Sequence, residues 1–408
     1  MVAPTLTIRP GHPDFLDLPW ERSVVDWRVS NLLELPKGIS RHEVRFLSYP
    51  HGIYVVKELQ QRPARNDYSV LRTLEAAGAP VVRAIGLVES RSDDPGEERS
   101  AALITAYEPF SFSYREILIG PGFGARRNQM LDAFAGLLVE LHLTSCYWGD
   151  CNLSNVLYRF DAEAIDTIMV DAETAELYLG PLTDGRREED LEIMIENVAG
   201  GMADIAAAAG ADIDAADLEL GLDIAERYRN LWAELSRTEA IAADERYRIT
   251  ERLERVNRLG FDVEEVDLVP TADDTDQLVI KVRVGGRTYH SSRLKALTGV
   301  DALENQARAI LSDVHYYTAR HEDGTPLDKA TAAIRWRVEE FEPILAELAA
   351  LDDLADPIQA YCDVLHHRFM LASAVRRDVG TRETIADWLA KGRPGYPLGE
   401  PKPPGDVR

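Results

Sequence analysis

The order of the periodic segments between Glu43 and Leu143 constrains this chain more than any other feature. Residues 44–49 and 53–59 are short runs rich in Val, Leu and Tyr around Pro50-His51-Gly52, which predicts a hairpin. Residues 65–77 place Tyr68, Leu71, Leu74 and Ala77 on one stripe and stop at Gly78 and Pro80, as an amphipathic helix does. Residues 81–88 and 101–106 read as strands on either side of the polar turn SRSDDPGEERS. The order strand, strand, helix, strand, strand then meets a longer helix at 127–143, where Met130, Phe134, Leu137, Leu138 and Leu141 recur at helical spacing. A β-rich part therefore precedes a helical one.

Further on, 155–158 and 165–170 are short apolar segments, and 188–209 is an acidic helical stretch. The run AAAAGADIDAAD around Gly210 marks the expected boundary. Beyond it come helices at 218–235 and 244–259, then two β-like runs, 263–269 and 277–284, joined by TADDTD. Helical segments follow at 302–317, 329–351, 357–376 and 382–391, and the end of the chain is Pro-rich. In residues 1–30, Pro10, Pro13 and Pro19 keep breaking any helix, so this stretch reads as a packed lead-in. The sequence has no internal repeat.

Asp and Glu number 70 against 45 Lys and Arg, a formal charge of −25 over 408 residues. A protein that coats nucleic acid needs basic residues at the phosphates, so this balance argues against that role. No apolar run approaches the roughly 18 residues of a membrane span. The start, MVAPTLTIRPGHPDF, lacks the pattern of a signal peptide, which makes a cytoplasmic protein the expectation. Three cysteines, Cys146, Cys151 and Cys362, with no C-x-x-C pair, argue against a disulfide or zinc scaffold.

Three polar features interrupt the apolar segments in a fixed order. Lys57 lies inside YVVKEL, Asp150 opens Asp-Cys-Asn-Leu-Ser-Asn with Asn155 five positions on, and Asp171 ends TIMVD. Each has a plainer reading: Lys57 as an edge-strand lysine, Asp150 and Asn155 as turn residues, Asp171 as a cap. Together they match what phosphoryl transfer from ATP requires. A strand lysine can neutralise the α and β phosphates, a loop aspartate can orient the acceptor hydroxyl, and Asn with a second Asp can hold magnesium.

On these residues the sequence resembles the protein-kinase-like superfamily, and particularly its bacterial small-molecule branch of aminoglycoside phosphotransferases, fructosamine kinases and lipopolysaccharide-kinase-like proteins. Trp-Gly-Asp-Cys-Asn-Leu-Ser-Asn looks like the His-Gly-Asp-x-x-x-x-Asn catalytic loop, and Asp171-Ala172-Glu173 like the metal-binding Asp-x-x element. More narrowly, WGDCNLSNVLYRFD with VDAETAEL resembles an actinobacterial family in which a kinase-like domain is fused to a C-terminal domain of unknown function.

The resemblance implies an α+β, bilobal protein-kinase-like fold with a mostly helical C-terminal domain containing a β-hairpin. It divides the chain into a lead-in at 1–34, a kinase-like domain at 35–210 (N-lobe 35–110, C-lobe 111–210), a helical domain at 211–392 with the hairpin near 263–284, and a tail at 393–408. It makes Lys57 the phosphate lysine, Asp150 the catalytic base or hydroxyl-orienting residue, and Asn155 and Asp171 the magnesium ligands. Asp67 stands where relatives carry the Glu that pairs with the lysine, with Glu75 as the alternative; Glu173 and Glu176 are candidates for the metal shell, with a solvated loop carboxylate as the plainer reading for one of them. Tyr107 lies in the connection where adenine would sit.

Three departures accompany the resemblance. Trp148 replaces the usual His, removing a polar contact that helps brace the loop, with packing of the large apolar ring as the alternative brace for the same turn. Gly38 is the sole glycine of the phosphate cover, leaving Ser40 and Arg41, with His42, as side-chain substitutes. Asn152 stands where protein Ser/Thr kinases place Lys.

The function expected is an ATP- and magnesium-dependent phosphotransferase acting on a hydroxyl of a small molecule or metabolite, with a cationic or polyhydroxylated acceptor as one option. The alternatives are a nucleotide-binding pseudokinase or assembly module with a protein partner, and a protein Ser/Thr kinase. Residues 281–308 carry Lys281, Arg283, Arg287, Arg293, Lys295 and Arg308, a local excess of four positive charges. That patch leaves a nucleic-acid partner open, with charge pairing as the plainer account.

Overall fold

The computed structural model describes residues 4–35, 42–118, 126–210, 212–213, 215–242, 244–270, 277–320, 328–352, 354 and 356–396. The fold is mixed α/β, with a β-sheet N-terminal region and a mostly helical remainder. It forms two compact units, Met1–Tyr158 with Thr167–Trp232, and Arg159–Asp166 with Ala233–Arg408.

In the first unit, β1 (Thr5–Ile8), β2 (Leu32–Leu33), β3 (Val44–Tyr49), β4 (Gly52–Leu59), β5 (Ala84–Glu89) and β6 (Ala101–Ala106) make one antiparallel sheet in the order β1-β5-β6-β4-β3-β2. Helix α1 (Gln61–Ala76) crosses from β4 to β5. It begins four residues before the stripe predicts, because Pro63 is tolerated in a first turn. Strand β5 starts later than its apolar text does: Val81 bridges Met169, and the Val82 N–H donates to the Met169 carbonyl.

The lead-in packs on one face of this sheet. Phe15, Trp20, Val24 and Trp27 are buried with Leu47, Tyr54, Val56 and Ile104. Each fully buried side chain of the Phe or Val class contributes roughly 1.5–3 kcal/mol. The buried Arg91 guanidinium ties the segment down, donating to Glu58 Oε1 (2.6 Å) and to the carbonyls of Trp20 and Arg22 (2.9 and 2.6 Å). Glu58 in turn accepts from the Ser23 hydroxyl and the Val24 N–H.

The helical part of the unit contains α2 (Tyr114–Ile117), α3 (Arg127–Leu143), α4 (Asp184–Ala209), α5 (Ala215–Leu218) and α6 (Leu220–Ser236). Helix α3 is buried nearly all round, and α4 ends at Gly210, which adopts φ +63°. Between α3 and α4 lie β7 (Cys146–Tyr147), β8 (Val156–Asp161), β9 (Ala164–Met169) and β10 (Glu176–Leu177); β7 pairs with β10 and β8 with β9. All three cysteines are buried free thiols.

The second unit holds the sheet β11-β13-β12 (Glu239–Ala242, Gln277–Val284, Val263–Pro270), so the expected hairpin gains a third strand. Its helices are α7 (Tyr247–Arg258), α8 (Tyr289–Thr298), α9 (Glu304–Arg320), α10 (Lys329–Trp336), α11 (Glu342–Ala349), α12 (Pro357–Val375) and α13 (Thr381–Ala390). A π turn at Arg337–Phe341 interrupts what reads as one helix over 329–351, where Pro343 removes a backbone donor. Buried Trp336, Tyr361 and Trp388 belong to its core. In the basic stretch, Arg283 pairs with Glu265 (2.9 Å), Lys295 with Asp301 (2.7 Å) and Arg308 with Glu163, while Lys281 lies opposite Asp267 in the β-ladder. No helix among the described residues is long and apolar enough to cross a membrane.

Candidate active site

Strand alternation places Lys57. Tyr54 and Val56 face the lead-in, which turns Lys57 to the opposite side of β4, an inner strand between β6 and β3. Its ammonium lies 3.0 Å from Asp67 Oδ2 and 2.8 Å from Asp171 Oδ2. Burial alone would lower the lysine pKa, but the two carboxylates outweigh it and hold it above its ordinary value. Asp67 occupies the buried face of α1, one turn before Leu71, and its Oδ1 accepts from the Ala172 N–H at 3.0 Å. Burial raises the Asp67 carboxyl to about 6 against the pull of Lys57, with Asp171 adding to the rise. Glu75 reaches Arg9 instead, at 2.5 Å.

Asn66, next to Asp67, donates to the carbonyls of Ala172, Glu173 and Ala175 and so ties α1 to the loop that carries Asp171. His42 Nε2 lies 3.1 Å from Glu173 Oε2, and Glu176 is exposed beside Tyr178. Ser40 and Arg41 fall outside the described residues. The Tyr107 N–H donates to the Ile53 carbonyl at 3.0 Å, and its ring meets Phe46 edge-on, with centroids 6.0 Å apart.

The loop after β7 turns through Gly149, at φ +75°, where a Cβ would press on the Thr174 carbonyl at 3.2 Å. Asp150 is half-buried. Its Oδ2 accepts from Asn155 Nδ2 (3.2 Å) and its Oδ1 from Asn197 Nδ2 (3.1 Å). Asn152 shapes the turn by accepting from the N–H groups of Ser154 and Asn155. The Val170 N–H donates to the Asn155 carbonyl, which joins this loop to the approach to Asp171.

Trp148 keeps a polar contact where its loss was expected. The ring is fully buried, stacked on Phe134, and Nε1 donates to the Asp171 carbonyl at 3.0 Å. The indole thus braces both by packing and by a hydrogen bond.

Residues 50–213 match the model of the lipopolysaccharide kinase (Kdo/WaaP) family. The chain contains a protein-kinase-like domain. Residues 230–392 match a model described as a domain of unknown function, DUF4032. Among solved structures, one titled "WaaP in complex with acyl carrier protein" is 16% identical, with 62% of this chain and 98% of that one covered and a TM-score of 0.37. No curated protein matches the chain.

The base of the loop that carries Asp150 rests on a residue that sequence reasoning missed. Asp190 of α4 is fully buried; its Oδ2 accepts from the Trp148 N–H (2.7 Å) and its Oδ1 from the Gly149 N–H (2.8 Å). His142 Nε2 lies 3.1 Å from the same carboxylate, and its Nδ1 meets the Tyr228 hydroxyl at 2.7 Å. Asp190 stands in an acid-rich run that reads as solvated. Its helical spacing from buried Met194 and Val198 was the available signal.

Burial lowers the His142 pKa despite Asp190, so the imidazole is held neutral. Below its unfolded value of 6.5 the unfolded chain binds a proton that the folded one resists, and stability falls as pH drops. Urea unfolding should therefore show wild type losing more stability between pH 7.5 and pH 5.5 than His142→Gln does. Equal slopes would contradict this assignment.

Proposed function

We propose that the kinase-like domain transfers the γ-phosphoryl group of ATP, with magnesium, to a hydroxyl of a small molecule. The contacts running from Asp67 through Lys57 and Asp171 to Trp148 carry this reading. They link a buried strand ammonium to the loop bearing Asp150.

In this reading Lys57 neutralises the α and β phosphates, held in place by Asp67. The acceptor oxygen bonds to the γ-phosphorus as the bridging bond to ADP breaks, and Asp150 orients the acceptor and takes its proton. No group of three or more His, Cys, Asp or Glu among the described residues could hold a metal unaided. That fits magnesium, a hard ion usually held by one or two protein oxygens together with substrate phosphates. Asp171 would supply a carboxylate oxygen. Asn155 spends its amide hydrogens on Asp150, so its carbonyl oxygen is the ligand end. The ion's contribution is to offset charge on the transferring phosphates.

Missing glycines in the phosphate cover and the residues Trp148 and Asp67 motivate the pseudokinase alternative; Gly38 lies outside the described residues, while Asp67 meets Lys57 and Trp148 donates to the Asp171 carbonyl. A polyhydroxylated acceptor is favoured by the match to a lipopolysaccharide kinase family model. The decisive measurement is label transfer from γ-labelled ATP, with magnesium, to a panel of sugars, amino sugars and other polyols, alongside thermal shift. Transfer to at least one acceptor is expected. A protein that magnesium-ATP neither stabilises nor phosphorylates through would end the proposal.

A further inference from the structure

Asp150 is gripped from two directions, and its own loop supplies only one of them. Asn155 lies five residues on in the same turn and reaches Oδ2. Asn197 comes from α4, a 26-residue helix, and gives one amide to Oδ1 at 3.1 Å and to the Cys151 carbonyl at 3.4 Å. A carboxylate held by one local amide can swing about its last torsion, which has a broad, roughly two-fold profile. Amide donors on both oxygens stop that rotation and refer the carboxylate to a rigid element outside the loop.

The same helix face carries Asp190, two turns earlier, which fixes the start of the loop through the N–H groups of Trp148 and Gly149. Helix α4 therefore holds both the main chain before Asp150 and the side chain of Asp150 itself. The contact to the Cys151 carbonyl adds the main chain just after it.

We propose that Asn197 is a positioning residue which aims the Asp150 carboxylate at the acceptor hydroxyl; the inference rests on the phosphotransfer reading above. It acts through Asp150 and does not contribute to nucleotide binding, which falls to Lys57, Asp171 and Asn155. Misplacement of a reacting group by about 1 Å can cost on the order of a hundredfold in rate. Truncating Asn197 should accordingly lower kcat by roughly 10- to 100-fold.

The test is Asn197→Ala, with Asn197→Asp beside it, in the full chain. Ala is a better helix former than Asn, so α4 is not weakened by the first variant. Asn197→Asp keeps the shape, removes the donors and sets a second carboxylate against Asp150, so it should lose more activity than Asn197→Ala. In both, KM for magnesium-ATP and the thermal shift it produces should stay at wild-type values.

Wild-type kcat in Asn197→Ala would overturn the inference and leave the phosphotransfer reading standing. A raised KM for ATP or a lost nucleotide thermal shift in step with the fall in kcat would also overturn it, by showing a general structural role. Should Asn197→Ala not fold, the Asn197→Asp variant decides on the same two readouts. A wild type that transfers no phosphate overturns the underlying reading, and this inference with it.

Discussion

Lys57→Met should lower phosphoryl transfer by about 10²–10³-fold and abolish stabilisation by magnesium-ATP. The methionine keeps most of the volume of the side chain and removes its charge, so the sheet should remain packed. Removing one preorganised charge-stabilising donor from a water-poor site costs about 10²–10³ in kcat. Here the loss extends to the apo protein. Asp67 is fully buried, and its carboxyl already stands at about 6 with Lys57 beside it. Without the ammonium, burial and the neighbouring Asp171 are opposed only by the Ala172 N–H, so Asp67 should take up a proton at neutral pH. Asp171 then loses the contact at 2.8 Å that orients it. Label transfer and thermal shift check the prediction. Unchanged nucleotide stabilisation in Lys57→Met would remove the lysine from the phosphate site.

The largest effect on stability is expected at Asp190. Replacing it with Ala leaves the N–H groups of Trp148 and Gly149 and the His142 ring without their acceptor in a dry interior. Each such buried orphan costs about 1–3 kcal/mol, and together we expect a loss of about 3–5 kcal/mol. Asn at this position keeps one accepting oxygen and should fall between Ala and wild type. Because the loop carrying Asp150 starts at those two N–H groups, transfer should fall along with stability. Urea unfolding of wild type, Asp190→Asn and Asp190→Ala gives the ranking. An Asp190→Ala protein within about 1 kcal/mol of wild type would mean that the loop finds other acceptors.

Lys57, Asp150, Asn155 and Asp171 stand out in the sequence because each lies within or beside an apolar segment, and a charged or amide side chain in such a place needs a reason. The hairpin, the helix after it and the long buried α3 are legible for the complementary reason, that their period is regular. Asp190, Asn197 and Asn66 lie in polar or acid-rich helical text, where composition says surface and only the phase of the helix says interior. Asp67 against Glu75 was open because both fall in the same amphipathic helix; burial beside Leu71 and Leu74 favours the first. Helix α8 is hidden by its basic residues, and the lead-in by its irregular backbone. Its aromatic residues are buried through Arg91 and Glu58, which lie far along the chain.

The lead-in has a consequence for any shorter form of this protein. Strands β1 and β2, drawn from residues 5–8 and 32–33, are the two outermost strands of the sheet, so the first 33 residues close both of its edges. The family match begins only at residue 50, inside the turn between β3 and β4. A fragment trimmed to that match would lose β1, β2 and β3, leaving β4 and β5 as raw edges and the apolar face under Phe15, Trp20 and Trp27 bare. Open edges beside an uncovered apolar face are the template on which chains pair with one another and aggregate. The boundaries of the fold and of the recognisable family are thus different boundaries, and insolubility of such a fragment would say nothing about the chemistry of the whole chain.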